Sequence, residues 1–60
     1  MSEDLILSKL VWARLLQSDL QLGDVHHMIS VVPKLDWQYL NKWAVILRVD
    51  SALEKAKYNE

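Results

Sequence analysis

The first apolar segment of the chain lies between Glu3 and Gln17, where no Gly or Pro interrupts the sequence. Ser2 is the candidate N-cap, and Glu3 and Asp4 place carboxylates in the first turn, so the pattern predicts a helix. At about 100° per residue, the apolar residues cover nearly the whole circumference. They are Leu5, Ile6, Leu7, Leu10, Val11, Trp12, Ala13, Leu15 and Leu16. We therefore expect this helix to be covered on more than one side.

A second helix is predicted to begin at the cap signal Ser18 and Asp19. Its apolar residues recur at spacings of three and four: Leu22, Val25, Met28, Ile29 and Val32. Its other side is predicted to carry Asp19, Gly23, His26, His27 and Ser30. Pro33 disfavours helical geometry at Val32, so the helix should end near there. The alternative, a short strand at Val31 and Val32, has no second strand candidate to pair with.

The last part of the chain predicts two further helices. Asp36 is the expected N-cap of the third, whose apolar stripe comprises Trp37, Leu40, Trp43, Ala44 and Leu47. Asp50 is the expected cap of a fourth helix at about Ser51 to Tyr58. The sequence thus predicts a single module, residues 1–60, with an all-α fold: a small bundle of three to four short helices.

Composition indicates how such a small bundle is stabilised. The chain has 60 residues, of which 52% are hydrophobic, and no cysteine, so a disulfide framework and thiolate metal sites are excluded. Cores of this size rarely provide more than about 3 to 5 kcal/mol. Association would bury the surplus apolar surface, and we expect a homo-oligomer, most simply a two-fold dimer. The residues expected at an oligomer or partner interface are Leu5, Trp12, Leu16, Trp37 and Trp43.

Charge and targeting signals restrict the partners. The formal net charge is −1, so nucleic acid is not an expected partner of the single chain. No apolar run approaches the roughly 18 residues of a membrane span, and the acidic start is unlike a signal peptide. We expect a cytoplasmic protein without membrane contact.

Few residues are candidates for chemistry. His26 and His27 are adjacent, so on a helix their side chains diverge by about 100° and do not easily share a metal ion. We therefore expect no metal and no cofactor, and interpret both histidines as a solvated helix face. Lys9 lies within an apolar stripe with Leu5 and Trp12. Either its stem packs on Trp12 while its ammonium reaches water, or it is held in a dry site to meet a phosphate or carboxylate.

Three stretches of the sequence carry a family resemblance. Glu3–Arg14, followed by Gln21–Val25 and Leu35–Ala44, resembles the C-terminal helical part of bacterial nucleotidyltransferase-like proteins of the abortive-infection toxin type. In that family a catalytic sheet domain precedes the helical part, and a helical lysine and an Arg-x-x-Asp element support nucleotide binding. The resemblance implies that Lys9 and Asp24 are remnants of a nucleotide site.

The sequence also departs from that family. The arginines expected around Leu20 and Gly23 are absent, and these 60 residues do not include the catalytic sheet domain. We therefore expect no nucleotide transfer by this chain alone, and no catalytic residues. The predicted function is that of a non-catalytic helical module that associates with itself or docks to a nucleotidyltransferase-like partner. The alternative is a small dimeric antitoxin-like or regulatory protein that binds nucleic acid through a basic stripe of Lys34, Lys42 and Arg48.

Overall fold

A computed structural model describes residues 2–17 and 19–58 of the chain. The described residues form four helices and contain no strand, which confirms the all-α prediction and excludes a strand at Val31 and Val32. The helices are α1 (Ser2–Leu16), α2 (Asp19–Val31), α3 (Trp37–Ile46) and α4 (Asp50–Lys57). None of them is both long and apolar enough to cross a membrane.

Helix α1 is central in the bundle, because it packs against each of the other three helices. Helix α4 also contacts α2 and α3, whereas the described parts of α2 and α3 do not pack against each other. The core lies between α1 and α4 and is closed on one side by α2 and on the other by α3. Its buried members are Ile6, Leu7, Leu10, Val25, Leu40, Ala44, Val49, Leu53 and Ala56.

Side-chain capping fixes the start of α3. The backbone of Asp36 is extended, and its carboxylate accepts a hydrogen bond from the Tyr39 backbone N–H at 3.0 Å. This confirms Asp36 as the predicted N-cap. The Asp36 backbone N–H donates to the Glu3 carboxylate at 3.0 Å, so the cap is also tied to the first turn of α1.

The ends of α1 and α2 lie close to their predicted bounds. Helix α1 begins at Ser2, one residue earlier than expected, so Ser2 is the first helical residue rather than the cap. Helix α2 begins at Asp19 and ends at Val31, near the end predicted from Pro33. Ser18, the other residue of the predicted cap signal, lies outside the described residues.

The turn between α3 and α4 corrects the prediction for Asp50. The Arg48 N–H donates to the Val45 carbonyl at 3.1 Å and the Val49 N–H to the Ala44 carbonyl at 2.7 Å, the pairing of a Schellman motif. This turn buries Val49 against the core and makes it the N-cap of α4, with no side-chain capping bond. Asp50 is therefore the first residue of the helix rather than its cap.

Candidate functional site

The two residues singled out by the resemblance are in contact. The Lys9 ammonium lies 3.3 Å from a carboxylate oxygen of Asp24, across the packing of α1 against α2. The Lys9 side chain is mostly covered, at 27% exposure, whereas that of Asp24 is 62% exposed. The two side chains therefore form an ion pair at the protein surface. Its descent from a nucleotide site stays a prediction.

Helix α1 packs against α2, α3 and α4, as expected of a helix covered on more than one side, but one side of it stays exposed in the single chain. Its buried residues are Ile6, Leu7, Leu10 and Ala13, which face the core. Trp12, by contrast, is 57% exposed. Helical geometry places Leu5, Leu15 and Leu16 within about 60° of Trp12, on the same outward side, and each of them is more than half exposed.

Helix α3 extends this apolar surface. A groove of about 420 Å³ between α1 and α3 has Trp12, Trp43 and Leu47 on its walls. Trp43 and Leu47 are 37% and 39% exposed. We call this surface the tryptophan face; it comprises Leu5, Trp12, Leu15, Leu16, Trp43 and Leu47. Four of these residues were predicted to lie at an interface: Leu5, Trp12 and Leu16 of α1, and Trp43 of α3. Leu15 and Leu47 were not predicted there.

A polar contact flanks the groove. The Tyr39 hydroxyl donates to the Asp4 carboxylate at 2.5 Å, and its ring lies 6.2 Å from that of Trp43. The hydrogen bond to Asp4 is the main cause of a raised Tyr39 pKa, because it favours the protonated phenol; desolvation and the charges of Asp4 and Glu3 act in the same direction. The contact holds the first turn of α1 against α3 and so keeps the two walls of the groove together.

Trp37 lies apart from the tryptophan face. It is half-buried against the core. The Lys57 ammonium lies 4.9 Å from the centre of the Trp37 ring and 3.2 Å from the Glu54 carboxylate. Trp37 is thus engaged by α4 within the same chain, unlike the other interface candidates.

The histidine pair divides between two environments. His27 is exposed, as predicted, but His26 is half-buried and its Nδ1 lies 2.8 Å from the Ala56 carbonyl oxygen. The prediction of a solvated face is therefore wrong for His26, because α4 packs on that side of α2. The carbonyl can only accept, so Nδ1 carries the proton. Among residues 2–17 and 19–58, no group of three His, Asp or Glu side chains could hold a metal ion.

Comparisons of the chain with protein-family models, with curated proteins and with solved structures find no match. The nucleotidyltransferase-like resemblance therefore stays a prediction carried by the quoted residues.

Proposed function

We propose that this chain is a non-catalytic helical module that acts by pairing with a second copy of itself through the tryptophan face. The observation that carries the proposal is the exposure of Trp12 in a groove that it shares with Trp43 and Leu47. Three further exposed apolar residues lie on the same side of α1: Leu5, Leu15 and Leu16. Isolated exposed apolar residues are ordinary on proteins, but a contiguous patch that includes aromatic side chains marks an interaction surface.

The size of the face suits a dimer. With about 200 Å² for a fully exposed large apolar residue, the six members present on the order of 600 Å² of apolar surface. The total accessible surface is 4360 Å², so the face takes up about one seventh of it. Each partner in a standard interface buries about 800 Å². The face thus provides the greater part of one side of such an interface, and polar residues at its edge would provide the rest.

The arrangement on α1 suits a second copy in particular. Leu5, Ser8, Trp12 and Leu15 follow one another at spacings of three, four and three, the spacing of a seam between paired helices. Ser8 is the small member, and it leaves room for a partner's large side chain. A two-fold axis presents the same stripe from both chains, so one self-complementary surface is sufficient.

The direct test is molar mass by sedimentation equilibrium over a concentration series from about 5 to 200 µM. The wild-type chain, 7.0 kDa as a monomer, should approach twice that mass, with a melting temperature that rises with concentration. Trp12→Lys should remain monomeric throughout, because a dimer would have to bury its ammonium in an apolar interface. Its circular dichroism should stay helical, since the side chain is largely outside the core.

Val45→Lys is the matched control. Val45 is 63% exposed, but it lies about 200° from Trp43 around α3 and so faces away from the tryptophan face. This variant should dimerise like the wild type. A wild-type monomer at every concentration would overturn self-association and leave the face for a different partner. A dimer that Trp12→Lys leaves intact would show that another surface forms it.

A further inference from the structure

A second concave surface lies where α1, α2 and α4 meet the turn before α4. It is a hollow of about 440 Å³ that is open to solvent, and its volume falls within the usual range of small-ligand sites. Three basic residues from three separate parts of the chain lie on its walls: Arg14 from α1, Arg48 from the turn and Lys55 from α4.

None of these three cations is paired with a carboxylate among the described side chains, which do not include that of Asp19. The ion pairs among the described side chains join Lys9 to Asp24 and Lys57 to Glu54. The described side chains on the walls of the hollow include no carboxylate. Three of the seven basic residues thus line one hollow in a chain whose net charge is −1. Such a concentration of like charge attracts an anion.

The remaining walls suit a small polar ligand. Gln17 and Ser51 add an amide and a hydroxyl that can donate hydrogen bonds, and Ala13, Leu22 and Ala52 are the apolar members. Arginine presents a planar fork of N–H donors that matches two oxygens of a phosphate, and lysine adds a compact charge. A phosphate-type anion fits this set of donors.

At Arg48 the effect of the backbone conformation on stability can be separated from the effect of the side-chain charge on binding. Arg48 has a φ of 61°, in the left-handed region, at the position of the Schellman motif that glycine usually occupies. Glycine would adopt this conformation at lower cost. Replacement by glycine should therefore improve the turn while it removes a cation from the cavity.

We propose that this cavity binds a small phosphate-type anion with two or more negative charges, through Arg14, Arg48 and Lys55. The site is separate from the Lys9 and Asp24 pair, because neither residue lines this cavity. The proposal does not depend on dimerisation.

The probes are inorganic phosphate and pyrophosphate, titrated into the full chain at constant ionic strength and followed by proton–nitrogen correlation spectra. Pyrophosphate should give saturable shifts at the Ser51 and Ala52 amides, with a dissociation constant below about 1 mM. Inorganic phosphate should bind at the same amides more weakly. Arg14→Gln and Arg48→Gly should each weaken pyrophosphate binding by about tenfold, because each removes charge-assisted hydrogen bonds. Arg48→Gly should at the same time raise the melting temperature.

Two controls match these variants. Lys34 is an exposed basic residue that also has a left-handed backbone, with a φ of 57°, and it does not line the cavity. Lys34→Gly should lower the conformational cost of the left-handed backbone at this position and leave pyrophosphate binding unchanged. Lys42→Gln removes an exposed helical cation elsewhere and should also leave it unchanged. Shifts that never saturate, or an equal loss of binding in Lys42→Gln and Arg14→Gln, would overturn the proposal in favour of general charge screening.

Discussion

The ion pair between Lys9 and Asp24 predicts a small, salt-dependent coupling energy. We consider Lys9→Met, Asp24→Asn and the double variant. Two unit charges at the observed 3.3 Å attract each other by about 1 kcal/mol in water-like surroundings. Solvent has ready access to Asp24, and ordering the lysine side chain offsets part of the attraction. We therefore expect a coupling of about 0.5 kcal/mol, within the usual range for exposed pairs.

The assay is urea unfolding of the four proteins at one protein concentration, followed by tryptophan fluorescence. The coupling energy is the difference between the change in unfolding free energy of the double variant and the sum of the changes of the two single variants. It should shrink in about 1 M salt, where the screening length is about 3 Å. A control cycle of Lys42→Met with Asp24→Asn should be additive, because the structure shows no contact between these two residues. Additivity in the Lys9 cycle as well would refute the pair and leave Lys9 as a lysine whose ammonium simply reaches water.

Two further predictions concern single side-chain bonds. His26→Ala should lower the free energy of unfolding by about 1 to 2 kcal/mol, because it removes a half-buried hydrogen bond to α4. The control His27→Ala should change it by less than about 0.5 kcal/mol. Equal effects of the two substitutions in chemical denaturation would contradict the packing of α4 against His26. Because the pKa of Tyr39 is raised above its ordinary value of 10.0, its bond to Asp4 should stabilise the fold at lower pH and be lost as pH rises through the raised value. In a Tyr58→Phe background, phenolate absorbance should give the pKa of Tyr39, and Asp4→Asn should lower it; an unchanged titration would refute the hydrogen bond as its cause.

Local signals in the sequence were sufficient to predict the helices. The spacing of apolar residues and the rule for residues before proline fixed α1 and α2 to within about two residues. Asp36 was identified correctly because an N-cap depends on a bond to a backbone N–H only three residues away. Asp50 was misassigned because core burial of Val49 selects the cap of α4. A polar residue at a candidate N-cap position does not indicate which neighbouring residue will be buried in the core.

Contacts between helices were less predictable. The polar side of α2 was assigned as if that helix had one neighbour, but α4 packs on a second side and receives His26. Antiparallel packing of α1 and α2 alone would place Lys9 nearer to His27 or Met28, and the length of a lysine side chain permits the observed contact with Asp24 without requiring it. The basic cavity had no comparable signal, because Arg14, Arg48 and Lys55 come together only once the position of α4 is known.

The two proposed surfaces lie on different sides of the same helix. Arg14 is about 200° from Trp12 around α1, and the basic cavity opens between α1, α2 and α4 whereas the groove opens between α1 and α3. A second copy on the tryptophan face would therefore leave the cavity open in both chains. A dimer built in this way would carry two equivalent anion sites related by its two-fold axis. Dimerisation and anion binding do not require each other, so sedimentation equilibrium and the pyrophosphate titration measure separate properties of the chain.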